Sequence, residues 1–193
     1  MKNAYSISEF IANVYSLILT KIFYPTARLI RRPVYIRGRK GLRYGKGLTT
    51  GHGCRFDMIG KNITLVLGEN SRIGDYVHIV ADSNVNIGDN VLMASKVFIS
   101  DTNHGIYNGE NQSEPEINPN ERPLVFSPVV IGNNVWLGEN AVILAGTTIG
   151  SGCIVGANAV VSGSFPDECI IVGVPARIIK RYNNETRKWE TVT

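Results

Sequence analysis

The chain of 193 residues contains few of the residues on which zinc sites, disulfide frameworks and aromatic cores depend. Its three cysteines, Cys54, Cys153 and Cys169, show no CxxC spacing, so we expect no metal site. Nothing in this cysteine pattern requires an oxidising compartment. Aromatic residues make up only 8% of the chain, which fits a narrow core filled by aliphatic side chains.

Signatures of covalent catalysis and of nucleic-acid binding are also missing. No serine lies in a nucleophile elbow, and no cysteine lies beside a histidine in a way that indicates a covalent intermediate. The net charge is +4, and nine basic residues lie between positions 21 and 46. This basic cluster lacks interleaved aromatics and any recognised nucleic-acid motif, so we expect no nucleic-acid partner.

What the sequence does contain is a repeat of six residues. An aliphatic residue opens each of six successive units: Ile131, Leu137, Ile143, Ile149, Val155 and Val161. The fifth residue of a unit is small or similar to valine: Val135, Ala141, Thr147, Cys153 and Ala159. A helix would repeat about every 3.6 residues and a strand about every 2, so a period of six predicts short extended segments joined by turns. We therefore expect an all-β fold, a parallel β-helix whose first and fifth positions point inward.

The segment that precedes the repeat, residues 1–33, is predicted to be an amphipathic helix followed by a basic stretch. One face of this helix is apolar, and Ser6 with Glu9 fits a capping box. Glu9 and Lys21 interrupt the apolar run, which argues against a membrane-spanning helix. Two alternatives remain: the helix packs on the solenoid and covers its open end, or it rests on an anionic lipid surface. The apolar face consists of Ile7, Phe10, Ile11, Val14, Ile18 and Ile22.

The repeat stops at Asp101 and resumes at Pro128. The intervening loop, residues 101–127, is polar, holds three prolines and has no periodicity. A loop of this length inside a compact repeat domain is usually functional. We predict a solenoid domain over residues 34–178, followed by a polar tail at 179–193 for which a short helix is one option.

The second half of the repeat, VVIGNNVWLGENAVILAGTTIGSGCIVGANAVV, resembles the left-handed β-helix hexapeptide-repeat acyltransferases. The resemblance covers roughly residues 34–178 and implies a left-handed solenoid, acetyl-CoA as co-substrate and a homotrimer with sites between subunits. A second span, together with the basic N-terminus, is most similar to O-acetyltransferases of lipopolysaccharide O-antigen or capsule assembly. Its sequence is DYVHIVADSNVNIGDNVLMASKVFISDTNHGIY.

The resemblance also assigns a general base. Sugar O-acetyltransferases of this family have a histidine where the long loop leaves the coil, and His104 falls on that position. An imidazole suits the task because it titrates close to neutral pH and can take a proton from a hydroxyl during attack on a thioester. Turn formation or corner packing is an equal alternative for several of the candidate substrate-binding residues, which are Asp82, Asn84, Asp101, Asn103 and His78.

The cofactor-binding residues come from the same resemblance to galactoside and maltose acetyltransferases. Small residues leave room for pantetheine, and cations at the end of the groove fit the phosphates of CoA. Glu139 stands where galactoside acetyltransferase has a serine. The implied contacts are Trp136, Gly138, Glu139, Ala145, Gly156, Ala157, Ser162, Gly163, Pro175, Arg177, Lys180 and Arg181.

These features predict an O-acetyltransferase that uses acetyl-CoA and acts on a surface-polysaccharide intermediate by direct transfer. We expect it in the cytoplasm, with peripheral contact to the inner membrane as an option. The alternatives are an acetyltransferase for a small soluble sugar or antibiotic, and a non-catalytic hexapeptide-repeat scaffold.

Overall fold

A computed structural model of the protein describes residues 5–59 and 62–192. The first four residues of the predicted N-terminal segment, residues 60–61 of the predicted solenoid and residue 193 of the predicted tail lie outside the described residues. The chain begins with one long helix, α1 (Ile7–Phe23), and continues as short strands with two single-turn 3-10 helices, at Arg39–Gly41 and Pro119–Glu121.

The strands are two to eight residues long and follow the repeat. The first twelve are β1 (Leu29–Ile30), β2 (Val34–Arg37), β3 (Leu42–Tyr44), β4 (Thr49–Thr50), β5 (Cys54–Asp57), β6 (Leu65–Leu67), β7 (Arg72–Ile73), β8 (His78–Val80), β9 (Val85–Ile87), β10 (Leu92–Met93), β11 (Phe98–Ser100) and β12 (Thr102–His104). The others are β13 (Leu124–Phe126), β14 (Val129–Ile131), β15 (Trp136–Leu137), β16 (Val142–Ile143), β17 (Thr148–Ile149), β18 (Ile154–Val155), β19 (Val160–Val161), β20 (Ser164–Phe165), β21 (Cys169–Gly173), β22 (Ala176–Asn183) and β23 (Lys188–Thr191).

Nineteen of these strands form three parallel arrays, which we call face one, face two and face three. Each turn of the chain adds one strand to each face. Face one has the order β1-β4-β7-β10-β15-β18-β21, face two has β2-β5-β8-β11-β16-β19, and face three has β3-β6-β9-β14-β17-β20. The predicted hexapeptide-repeat β-helix with an N-terminal helix and one long excursion is confirmed.

The core consists of the residues that the repeat places inward. All six opening aliphatic residues and all five fifth-position residues are no more than 2% exposed. Successive coils stack these positions directly, as when Ile143 pairs with Ile99 above it and Val161 below it. The inward assignment made from the six-residue period is therefore confirmed.

The corner between face three and face one shows how the turns are stabilised. Asn70, Asn90 and Asn134 all adopt positive φ there, which asparagine tolerates better than most residues. Side chains also bridge the coils, since the backbone N–H of Asp89 donates to Asn133 Oδ1 at 2.8 Å. The polar residues of the repeat thus satisfy the backbone of the neighbouring coil.

Helix α1 covers the open end of the solenoid, and it packs there with its polar side. Thr20 and Ser16 are buried, and their hydroxyls accept hydrogen bonds from the backbone N–H groups of Ile30 (2.9 Å) and Arg32 (3.2 Å). These bonds satisfy donors at the start of the first coil. The predicted capping box is present, with Ser6 and Glu9 bonded reciprocally at the helix start.

The apolar side of α1 therefore faces away from the solenoid. Ile7 is 81% exposed, and Phe10, Ile11 and Ile22 are each more than 60% exposed. Both alternatives raised from the sequence thus have a structural counterpart: the polar face covers the coil, and the apolar face is left uncovered. No helix in the described ranges is long and apolar enough to span a bilayer.

The segment predicted as a polar tail differs from expectation. Its described part forms strands: β22 pairs antiparallel with β21, and β23 pairs with β22, which extends face one beyond the last coil. Ala176 is buried at the start of this hairpin, and Tyr182 packs edge-to-face on Trp189 with ring centroids 5.4 Å apart. The hairpin thus continues face one past the last coil, and Ala176 and Ile178 at its start pack against the core.

Candidate active site

The predicted loop leaves the fourth coil as an antiparallel hairpin. Strand β12 pairs with β13, so that Thr102 lies opposite Phe126 and His104 lies opposite Leu124. Because side chains alternate along a strand, Thr102 and His104 share one side of the hairpin. Asn103 points to the other side, away from the cavity described below.

Asp101 fixes the place where the loop leaves the coil. The residue is fully buried, and Oδ1 accepts from the backbone N–H of Asp82 at 3.0 Å. The second oxygen, Oδ2, accepts from the N–H groups of Ser83 at 2.8 Å and Asn84 at 2.7 Å. Asp101 therefore joins the corner of the third coil to the hairpin, which is the turn-forming alternative rather than an open contact for substrate.

A cavity of about 530 Å³ opens on face two beside this hairpin. Three of the predicted residues meet there: His104, Asp82 and His78. Asn84 and Asn103 are exposed outside its lining. The lining residues are Arg37, Arg55, Asp57, Met58, Ile59, His78, Val80, Asp82, Phe98, Ser100, Thr102, His104 and Leu124.

Asp82 presents a carboxylate oxygen in the wall of this cavity. The Thr102 hydroxyl lies 2.9 Å from Asp82 Oδ2 and 2.9 Å from Asp101 Oδ1, and it can donate to either. The other oxygen, Asp82 Oδ1, is buried away from the cavity surface. Burial raises the pKa of Asp82, and the nearby charge of Asp101 adds to this, while the Thr102 hydrogen bond opposes it.

Asp57 organises the opposite end of the cavity. Its Oδ2 accepts from Arg55 Nε at 2.5 Å and from His78 Nε2 at 3.0 Å, and its Oδ1 lies 3.6 Å from Arg37 Nε. Burial favours the neutral acid, but the hydrogen bonds from His78 and Arg55 and the two positive charges hold the pKa of Asp57 below its ordinary value. His78 is therefore oriented by Asp57, and its ring also packs edge-to-face on Phe98.

Sequence reasoning missed Arg37, Arg55, Asp57 and Thr102. The first three could have been found from the alternation of side chains in β2 and β5. In β5, Cys54 and Phe56 point inward, so Arg55 and Asp57 point outward. Their alignment with one another could not be found without the register. That register places Arg37, Asp57, Val80 and Ser100 in one row, and Tyr35, Arg55, His78 and Phe98 in the next.

The residues implied for the cofactor lie lower in the solenoid. Trp136 projects from face one and is 49% exposed. One group lies at the corner between faces one and two, and consists of Gly138, Glu139, Gly156 and Ala157. A second group lies at the corner between faces two and three, and consists of Ala145, Ser162 and Gly163. The last group lies in the terminal hairpin, and consists of Pro175, Arg177, Lys180 and Arg181.

Coil stacking gives an independent reason for two of these glycines. A Cβ atom at Gly138 would lie 2.5 Å from the backbone nitrogen of Ala157, and one at Gly156 would lie 2.8 Å from Val172 Cγ1. Gly163 differs. Its φ is +91°, and a Cβ atom added to it would have no neighbour within 4 Å. Gly138 and Gly156 are thus required by the fold whether or not they contact a cofactor.

The cysteines and the metal-binding residue types do not form a second site. Burial raises the pKa of Cys54 and of Cys153 to about 11, which disfavours the thiolate that a nucleophile requires. All three cysteines are free and buried. Across residues 5–59 and 62–192, no group of three or more His, Cys, Asp or Glu side chains could hold a metal ion.

A family described as bacterial transferase hexapeptide (six repeats) matches residues 128–163. WbbJ of Escherichia coli K12, provisionally named as a lipopolysaccharide biosynthesis O-acetyl transferase, is 47% identical over 187 residues, covering 96% of this chain and 95% of WbbJ. The galactoside O-acetyltransferase of the same strain is 36% identical over 130 residues, covering 67% of this chain and 59% of that protein.

Solved structures show the same fold. A galactoside acetyltransferase in complex with coenzyme A aligns with a TM-score of 0.55 and 25% identity, covering 98% of this chain and 80% of that one. AntD, an N-acyltransferase from Bacillus cereus in complex with dTDP and 3-hydroxybutyryl-CoA, aligns with a TM-score of 0.68 and 22% identity, covering 96% of this chain and 93% of AntD. At that identity, AntD supports the fold alone.

We predict that Asp101→Ala will destabilise the protein by about 3 kcal/mol or more, because three backbone donors of the 82–84 corner lose their charged acceptor. The measurement is urea unfolding followed by circular dichroism. Asn103→Ala, an exposed neighbour in the same hairpin, is the control and should change stability by less than about 0.5 kcal/mol. Equal stability of the two variants would show that Asp101 does not anchor the loop.

Proposed function

The chain belongs to the hexapeptide-repeat family of bacterial acyltransferases, and on that basis we propose that it transfers an acetyl group from acetyl-CoA to a sugar hydroxyl of an O-antigen or capsule intermediate. The observation that carries this proposal is the meeting of His104 and Asp82 at one end of the face-two cavity. Similarity to WbbJ over nearly the whole of both chains supports the polysaccharide acceptor.

In the proposed reaction, His104 acts as general base. Its imidazole takes the proton from the acceptor hydroxyl as that oxygen attacks the carbonyl carbon of the thioester. The C–O bond forms, the tetrahedral oxyanion collapses, and the C–S bond breaks. The imidazolium then returns the proton to the departing thiolate, which leaves an acetyl ester and free CoA. No covalent enzyme intermediate is needed.

Asp82 orients the acceptor in this mechanism. Its carboxylate lines the cavity, and its Oδ2 is held in place by the Thr102 hydroxyl. An acceptor hydroxyl bonded to Oδ2 would be fixed on the side of the hairpin that carries His104. Asp101 acts indirectly, because it holds the backbone of this corner.

The donor site is proposed to lie between subunits of a homotrimer. None of the implied cofactor contacts lines the face-two cavity within the described part of one chain. Large apolar side chains are exposed on the hairpin and on the faces: Phe126 (46%), Leu92 (46%) and Trp136 (49%). Such surface is typical of an interface between protein chains. We propose that His104 of one chain faces the Trp136–Arg177 region of its neighbour.

We also propose that α1 holds the enzyme at the cytoplasmic face of the inner membrane. Its uncovered apolar face lies at the same end of the solenoid as the exposed basic residues Arg28, Arg39 and Lys40. An apolar helix face beside basic side chains fits an anionic bilayer surface, where apolar burial and charge attraction add.

A small-molecule acetyltransferase is the second enzymatic candidate. The 530 Å³ cavity is open to solvent, so it would equally admit a free sugar. The choice between the candidates depends on whether the enzyme prefers glycan acceptors bearing a lipid carrier over free sugars. A non-catalytic scaffold would bind no acetyl-CoA.

The first prediction from the proposed function concerns the base. His104→Ala should lower acetyl transfer by about a hundred- to ten-thousandfold while acetyl-CoA binding is unchanged, because only proton transfer is lost. Release of free CoA in the presence of acceptor measures the rate, and calorimetry measures the binding. His52→Ala, at a corner away from the cavity, is the matched control. Wild-type turnover by the His104 variant would refute the assigned role.

The second prediction concerns the shared site. Ala157→Trp should block the cofactor groove, since Ala157 is exposed at the corner between faces one and two. Co-assembly of Ala157→Trp chains with His104→Ala chains should restore about a quarter of wild-type activity, because mixed trimers contain some intact interfaces. Each variant alone is the control. If the mixture stays inactive although it assembles, each site lies within one chain.

The third prediction concerns the helix. Replacing both Ile11 and Ile18 by Asp should abolish co-sedimentation with phosphatidylglycerol vesicles, because two exposed aliphatic anchors become charged. Val174→Asp, at an exposed aliphatic position at the other end of the solenoid, should leave co-sedimentation unchanged. Vesicle binding that survives the double substitution would rule out α1 as the anchor.

A further inference from the structure

The two ends of the face-two cavity carry different polar side chains. His104, Asp82 and Thr102 lie at the level of the third and fourth coils, where acetyl transfer is proposed. Arg37 and Arg55 lie at the other end, on the first and second coils. The proposed reaction uses neither arginine, so this end of the cavity has no assigned role.

The charges at the arginine end do not balance. Two guanidinium groups share one carboxylate, that of Asp57, which already accepts a hydrogen bond from His78. The Arg37 side chain is 67% exposed and the Arg55 side chain is 43% exposed. In the part of the chain that the structure describes, only the Nε atom of each is engaged with Asp57. The terminal nitrogens of both remain available to an anion.

The distance between the two ends sets the kind of molecule that could occupy both. Arg37, Asp57, Val80 and Ser100 follow one another in register on four adjacent strands. Three strand spacings separate the first from the last, which is roughly 14 Å. One sugar ring followed by two phosphate groups has a comparable length.

We propose that Arg37 and Arg55 form a subsite for the diphosphate of a glycosyl diphosphate acceptor, with the sugar directed toward His104. Guanidinium groups bind phosphate oxygens bidentately, and two of them on neighbouring strands match a diphosphate. This inference rests on the proposed acetyltransferase function and adds the chemical class of the acceptor. Asp57 positions the pair through its contacts with both arginines.

A glycosyl diphosphate can be attached either to a lipid carrier or to a nucleoside. The arginine end of the cavity lies on the first coil, which is the coil that α1 covers. The uncovered apolar face of α1 is therefore at the same end as the phosphate subsite. A lipid-linked diphosphate would enter from that end with its carrier toward the helix. Both sources share the diphosphate chemistry, so the experiment must separate them.

The test measures binding of inorganic pyrophosphate by calorimetry at constant ionic strength, with the full chain saturated with CoA so that the donor site is occupied. Wild type should bind, and Arg37→Ala should bind about tenfold or more weakly, because a charged hydrogen-bonding group is lost. Arg55→Lys keeps the charge beside Asp57 but loses the fork, so a smaller weakening is expected. Arg43→Ala, an exposed arginine on face three of the same coil, is the matched control.

Two results would overturn the subsite. One is the absence of pyrophosphate binding to wild type, and the other is equal weakening by the Arg37 and Arg43 substitutions. Affinity for UDP and for farnesyl diphosphate then separates the sources: tighter UDP binding indicates a nucleotide-linked acceptor, and tighter farnesyl diphosphate binding a lipid-linked one. Either preference supports the subsite only if Arg37→Ala weakens binding of the preferred compound.

The same variants separate failure of the subsite from failure of the proposed function. Acetyl-CoA binding by Arg37→Ala should equal that of wild type, which also shows that the variant is folded. Acetyl-CoA binding without pyrophosphate binding would leave the acetyltransferase proposal intact and remove the subsite. If the wild type does not bind acetyl-CoA, the acetyltransferase proposal fails, whether or not the protein binds pyrophosphate.

Discussion

The close stacking of coils is the constraint on which the rest of this structure depends. Each strand of an inner coil hydrogen-bonds to the coil above and the coil below, so neighbouring coils lie only about 4.8 Å apart. At this spacing the interior admits one aliphatic residue and one small residue per unit, as Ile143 above Val161 and the fully buried Ala141 show. It also forbids a Cβ atom at Gly138, where the next backbone lies 2.5 Å away. The side chains that remain free to vary are those that point outward.

Function follows from this division between inward and outward positions. Rows of outward residues stand in register on face two, so residues distant in sequence, such as Arg55, His78 and Phe98, become neighbours. The row is rigid because the backbone beneath it is paired on both sides. A cavity wall built this way needs little rearrangement to hold groups at fixed separations, which is what proton transfer and phosphate recognition both require.

The sequence alone shows where the repeat is interrupted. The physical cause of the interruption is visible only in the structure. The break at Asp101 was visible as the end of a pattern, and His104 followed from resemblance to the family. That Asp101 is buried and accepts three backbone hydrogen bonds from residues 82–84 depends on the stacking of one corner on another. The same stacking placed Thr102 between Asp82 and Asp101 and turned Asn103 away, and neither outcome was predicted.

The sequence by itself determined the solenoid, its inward residues, the capped N-terminal helix and the place of the long loop, because a fixed period of six constrains every unit in the same way. The tertiary structure decided which outward residues meet, because their alignment depends on the register between coils and not on spacing within one. It also decided that α1 packs through Ser16 and Thr20, since the unpaired donors of the first coil needed hydroxyl partners that an apolar face could not supply. The terminal hairpin formed for a related reason, because the last coil exposes a sheet edge that strands can extend.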